Sequence, residues 1–119
     1  MKTKYKILIA KILSKLLMIF ISKNQTVIRN EIKWNLDLDE GIDLSVYLFG
    51  TSERKISNLS KLLSKKSDSL TVIDIGANIG SVSLFIAKAF KNSKIFAIEP
   101  TDYAYSKLTY NLKLNEDLK

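Results

Sequence analysis

The run Leu70-Thr71-Val72-Ile73-Asp74-Ile75 passes directly into Gly76-Ala77-Asn78-Ile79-Gly80, and no other junction constrains the fold as strongly. A short β-branched run closed by two glycines reads as a buried strand turning sharply into the next element. That element is helical: Val82, Phe85, Ile86, Ala89 and Phe90 recur at i, i+3, i+4, i+7 and i+8, and Asn92-Ser93 stops them. Lys94 to Ile98 reads as a second strand, ending in Glu99-Pro100. Leu70 to Pro100 is therefore expected to be a β-α-β crossover with parallel strands and a right-handed connection. The expected fold class is α/β and Rossmann-like.

Gly76 and Gly80 let the backbone turn and let a ligand approach the amides at the helix N-terminus. Glu99 lies 23 positions beyond Gly76, at the carboxyl end of the next strand, where an acid can accept from both hydroxyls of a ribose. The pair points to an adenosine-type ligand. Asn78 stands where a dinucleotide fingerprint has its second glycine, and Asp74 places a carboxylate at the mouth of the loop, where it would repel a pyrophosphate. A sulfonium and an ammonium would be attracted there, by about 1–4 kcal/mol at ~4 Å. S-adenosylmethionine fits these residues better than NAD. The competing reading leaves the glycines as packing positions and Asp74 and Glu99 as ordinary strand-end acids.

The 119 residues contain no cysteine and no histidine, which removes disulfides, Cys/His zinc sites, thiol nucleophiles and imidazole catalysis. Any chemistry rests on carboxylates, hydroxyls, lysines or a bound cofactor, and a cytoplasmic location is expected. The acids in Asp37-Leu38-Asp39-Glu40-Gly41 lack the spacing of a calcium loop and read as a solvated turn, so no metal is expected. The net charge of +7 is confined to the first 30 residues, which hold seven basic side chains and no acid. The other 12 basic residues are balanced by all 12 acids. A nucleic-acid reader would spread basic residues over its folded face, so no nucleic-acid partner is expected.

Tyr5 to Ser22 is strongly apolar and would reach about 27 Å as a helix, nearly a membrane's thickness. Lys11 and Lys15 near its middle would each cost roughly 2.5–3.5 kcal/mol at a bilayer centre, which argues against a spanning helix. At 100° per residue Lys4, Lys11, Lys15 and Ser22 fall within about 20° of one line. Residues 1–26 are read as a basic amphipathic helix. It either docks on a protein surface or makes peripheral membrane contact through residues 4–22.

Residues 27–69 are read as a prelude: strands over Val27 to Trp34 and Leu44 to Phe49, hairpin-like, then a helix carrying Ile56, Leu59, Leu62 and Leu63, and a loop at Ser67-Asp68-Ser69. Residues 70–119 form the start of the cofactor-binding domain.

The residues Val72 to Gly80, Ala97-Ile98-Glu99-Pro100 and Leu108 to Asn115 resemble the FkbM-type methyltransferases. The likeness extends upstream through Asp43 to Gly50 and Glu53, with Ser52 where an aromatic residue is common. The resemblance implies a class I methyltransferase fold and methyl transfer from S-adenosylmethionine, often to an oxygen of a sugar or other small metabolite, a small-molecule or glycan acceptor. It places Asp74, Gly76, Asn78 and Gly80 on the methionine and ribose side, Glu99 on the ribose and Glu53 near the methionine moiety. Tyr103, Tyr105 and Tyr110 are read as packing or surface residues on the following helix, and no catalytic residue is assigned. The family continues with strands that carry the adenine pocket, the acceptor site and any base. The chain is accordingly expected to be the N-terminal part of such a domain, a fragment or truncated form, poorly stable or oligomeric alone and catalytically weak or inactive. The alternatives are a non-catalytic nucleotide-binding remnant, a membrane-peripheral interaction protein and a dehydrogenase.

Overall fold

The computed structural model describes residues 8, 9, 12, 13, 15, 16, 18–63, 65–67 and 69–118. The helix expected over residues 1–26 lies partly outside these residues, as do Lys4 and Lys11 of its basic stripe and Asp68 of the later loop. Residues 8, 9, 12, 13, 15 and 16 are helical, and residues 18–20 form a turn. No helix among the described residues is long and apolar enough to cross a membrane.

Strands β1 (Asn24–Arg29) and β2 (Ile32–Asp37) form an antiparallel hairpin in which Asn24 faces Asp37 and Arg29 faces Ile32. The single strand expected over Val27 to Trp34 is thus two strands. Their two-residue turn, Asn30-Glu31, is left-handed at both positions, with φ of 52° and 61°, the twist such hairpins favour. It lacks the glycine that usually marks this turn, so the apolar residues on either side look continuous in sequence. Asn30 Nδ2 donates to the carbonyl of Gly50 at 3.0 Å and holds the turn in place.

Leu44 to Phe49 is likewise not a strand; it belongs to helix α1 (Gly41–Phe49). Its buried positions are Asp43, Leu44 and Val46, with Tyr47 half-buried. This is a helical set, but one member is a carboxylate, so the sequence shows only the alternation of Leu44, Val46 and Leu48. Gly50 ends the helix in the left-handed region, its N–H donating to Val46 O at 2.8 Å.

The remaining elements match the expected order: α2 (Arg54–Leu63), β3 (Thr71–Ile75), α3 (Ser81–Ala89), β4 (Lys94–Ile98) and α4 (Asp102–Leu114), then a 3₁₀ turn over Glu116–Leu118. β3 and β4 are parallel, with Thr71 beside Lys94 and Ile75 beside Ile98. They form a sheet separate from the hairpin.

The core joins the two halves. Ile32, Trp34, Leu36 and Leu38 of the hairpin region pack with Val46 of α1, Ile79 of the glycine loop and Leu84 of α3. Large side chains buried in this way contribute roughly 1.5–3 kcal/mol each, and Ile79 fastens the loop to the hairpin. The outward edge of β2 is closed by side chains. The N–H groups of Lys33, Asn35 and Asp37 donate to Asn115 Oδ1 at 2.9 Å, Asn111 Oδ1 at 2.8 Å and Asp43 Oδ2 at 2.7 Å. Asn115 Nδ2 returns a bond to Lys33 O at 2.7 Å, and Asn111 Nδ2 donates to Ile79 O at 3.1 Å, so α4 braces the hairpin and the glycine loop together. Asp43 also forms a buried ion pair with Lys107 of α4. Burial pushes the Asp43 carboxyl up against the pull of Lys107 and the Asp37 N–H.

One face of the β3–β4 sheet is uncovered by described residues: Ile73, Ile75, Phe96 and Ile98 are 46–80% exposed. Parallel sheets are ordinarily buried on both faces.

Candidate functional site

A cleft of about 440 Å³ opens where the carboxyl end of β3 meets α1 and the start of α2. Of the six expected site residues, Glu53, Asp74, Gly76 and Asn78 line it, whereas Gly80 and Glu99 do not. Ile42 and Ser45 of α1, Ser52 before α2 and Ser81 at the start of α3 also line it.

Gly76 has φ of 77° and open space where a Cβ would stand, so its surface is accessible to close approach. The N–H groups of Gly76 and Ala77 both donate to Ile98 O, at 2.9 and 3.0 Å. The carbonyl that ends β4 therefore engages the first two amides of the glycine loop, not those at the N-terminus of α3. Gly80 serves packing. Its φ is 86°, and a Cβ would lie 2.8 Å from Cδ1 of the buried Leu108.

Asn78 occupies the left-handed region at φ 48°, and its N–H donates to Glu99 Oε2 at 2.9 Å. Glu99 Oε1 accepts from the Thr101 N–H at 3.0 Å and from Thr101 Oγ1 at 2.6 Å. The Thr101 hydroxyl and N–H, with Asn78 behind them, hold the Glu99 carboxyl below the usual carboxylate range. These bonds use three of about four acceptor sites on a carboxylate. Asp74 Oδ2 accepts from Ser83 Oγ at 2.6 Å, which fixes the acid on the cleft wall. Glu53 is exposed, and its N–H donates to Thr51 Oγ1 at 3.0 Å. Ser52 Oγ and Ser81 Oγ lie 2.8 Å apart and join the starts of α2 and α3.

Sequence reasoning missed Ser45, Ser81, Ser83, Thr101 and Ile42, and noted Ser52 only as a departure from a pattern. Thr101 was detectable by position, because two residues after the strand-end acid its N–H and hydroxyl can both reach back to that carboxylate. Ile42 and Ser45 were hidden by the reading of α1 as a strand. Tyr103, Tyr105 and Tyr110 are exposed on α4, away from the cleft lining. The Tyr103 hydroxyl donates to Asp37 Oδ2 at 3.2 Å; partial burial and the Asp37 charge push it up to about 12.

A larger hollow of about 500 Å³ lies between the hairpin turn and α3, lined in part by Asn30, Glu31, Phe85 and Lys88. Lys88 pairs with Glu31 across it. It has neither the loop glycines nor the strand-end acids, so the chemistry favours the smaller cleft. That cleft presents Glu53 and Asp74, and no basic side chain is among its described lining residues. A ligand carrying positive charge suits it, and a pyrophosphate does not.

No family model matches the chain. Over 47 residues it is 43% identical to methyltransferase sdnD of Sordaria araneosa, a match covering 40% of this chain and 18% of the relative. Two solved structures from Pyrococcus horikoshii share its fold: one described as a transferase, with a TM-score of 0.55, and TYW2 in complex with MeSAdo, with a TM-score of 0.56. Each is 26% identical, and each match covers 81% of this chain and 33% of the other. The chain spans about a third of those structures and less than a fifth of the curated relative. Its fold is α/β and Rossmann-like, and over the part it shares with them it is similar to methyltransferases.

Proposed function

We propose that this chain forms the cofactor-binding opening of an S-adenosylmethionine-dependent methyltransferase of the FkbM type, acting on an oxygen of a sugar or other small metabolite. The observation that carries this reading is the acidic cleft at the carboxyl end of β3, with Glu53 and Asp74 on its walls and no basic side chain among its described lining residues. TYW2 in complex with MeSAdo, among the structural relatives, supports an adenosyl ligand with sulfur. When bound, S-adenosylmethionine supplies a methyl group on a cationic sulfur open to in-line attack.

Asp74, anchored by Ser83, and Glu53, which lines the same cleft, attract the ammonium and sulfonium charges. Ser52 and Ser81 offer hydroxyls to the methionine carboxylate beside the N-terminus of α3. Glu99 has about one acceptor site left on Oε2, so it receives one ribose hydroxyl while still clamping Asn78; holding both hydroxyls requires release of Thr101. Gly76 leaves space for the sugar to lie against the backbone. The acceptor pocket and any base are assigned to no residue of this chain.

Isothermal titration calorimetry of the full chain with S-adenosylmethionine tests the reading. Asp74→Asn and Glu53→Gln are each expected to weaken binding by about tenfold, and NAD is expected to give no heat. Absence of binding by the unsubstituted chain would leave the readings as a non-catalytic remnant or an interaction protein.

A further inference from the structure

We infer that the segment preceding Ile21 is an interfacial anchor that lays its apolar side on an anionic lipid membrane. Leu8, Ile9, Ile12, Leu13 and Leu16 are helical and 40–53% exposed, and Ile19 and Phe20 beyond them are 71% and 87% exposed. None of these seven side chains is buried by the described residues. The five helical ones fall within an arc of about 140°. Lys15 stands about 20° outside that arc, where a lysine stem can lie along apolar surface with its ammonium in the headgroups.

The body begins sharply at Ile21, which packs against the core. The Lys23 carbonyl accepts from the Leu38 N–H at 2.9 Å, and its ammonium pairs with Asp37 at 3.3 Å and Asp39 at 3.0 Å. These seven uncovered apolar side chains therefore all precede a fixed base that begins at Ile21.

Charge selects the occupant. Lys2, Lys4, Lys6, Lys11 and Lys15 precede the body with no acid among the first 30 residues, while the rest of the chain is balanced. A second copy would set either its own basic segment or a body of no net charge against this one, and a neutral apolar groove would gain nothing from the lysines. An anionic bilayer takes up both the apolar side chains and the lysines, each lysine contributing about fivefold to partitioning.

The test is flotation of the full chain with vesicles of phosphatidylcholine alone, or with about one phosphatidylglycerol in four. Two variants accompany it, Ile19→Asp/Phe20→Asp and Lys15→Glu. Both sites are exposed, so thermal melting without vesicles is expected to match the unsubstituted chain. Binding is expected on the anionic vesicles, weakened by raising salt from about 50 to about 500 mM. It should fall at least about tenfold in the double variant and several-fold in Lys15→Glu. No binding at low salt, or equal binding to neutral vesicles, overturns the proposal. So does self-association abolished by Ile19→Asp/Phe20→Asp without vesicle binding, which would make a second copy the occupant.

Discussion

The backbone N–H of Asn78 donates to Oε2 of Glu99 at 2.9 Å, so the loop that enters α3 is clamped by the residue that ends β4. The Thr101 hydroxyl and N–H, then Asn78, hold the Glu99 carboxyl low in the folded chain. The folded state consequently binds fewer protons at this site than the unfolded one. The stabilisation is complete above the unfolded value, about 4.3, and is lost as pH falls through the lowered folded value. Melting temperatures measured from neutral pH down to about pH 3 are expected to fall less steeply in Glu99→Gln. Superimposable profiles would show that the clamp adds no stability.

Gly76 and Gly80 are expected to fail differently when replaced by alanine. Both occupy the left-handed region, which costs an alanine about 1–2 kcal/mol. At Gly80 the new methyl also meets Leu108, which is buried and has little room to yield, bringing the total to about 3 kcal/mol. At Gly76 the methyl points into open space. Gly80→Ala should thus show its loss in urea denaturation, and Gly76→Ala chiefly in calorimetry with S-adenosylmethionine. Equal stability losses would contradict the assignment of packing to one glycine and ligand approach to the other.

Asp43 and Lys107 pair between α1 and α4, with Asp43 1% exposed and Lys107 11%. Asp43→Asn keeps an acceptor for the Asp37 N–H but leaves the ammonium without its counter-charge, at a cost of about 3 kcal/mol. Lys107→Met is expected to cost a similar amount, and the double variant clearly less than the sum. The pH dependence has the opposite sign from that of Glu99. Burial raises Asp43 in the folded chain, so its contribution to stability is complete below the unfolded aspartate value, about 3.9, and is lost as pH rises from there through the raised folded value. Urea titrations of the four chains at neutral pH and at about pH 4 check both statements.

The uncovered face of the β3–β4 sheet should make the isolated chain self-associate and bind an environment-sensitive apolar dye. Ile75→Lys/Ile98→Lys, at neighbouring register positions, is expected to reduce both while leaving the circular dichroism spectrum unchanged. Sedimentation velocity and dye fluorescence provide the readouts. A monodisperse, dye-silent unsubstituted chain would mean that this face is not adhesive.

The β3–α3–β4 unit was legible because its periods are clean and both glycines sit where the backbone demands them. The hairpin and α1 were not, because their determinants are polar. Asn30-Glu31 makes its turn without glycine, and Asp43 occupies an interior helical position that resembles a surface one. Asn111 and Asn115 carried an unread signal. With Ala104 and Leu108 they continue the buried stripe of α4, and amides at such positions require buried backbone partners. In the cleft, Asp74, Gly76 and Asn78 came from local pattern and Glu53 from family resemblance. The serines became visible only once α1 and α2 were brought against the loop.

The closed edge of β2 gives the molecule a direction of growth. Asn115, Asn111 and Asp43 take the hydrogen bonds that a neighbouring strand would otherwise claim, so the hairpin is a terminus of pairing at that edge. Additional strands, from the same polypeptide or another, can extend the parallel sheet only outward from β3 or β4. The glycine loop lies at the carboxyl end of β3, so a strand added beside β3 would supply a further wall to the cleft.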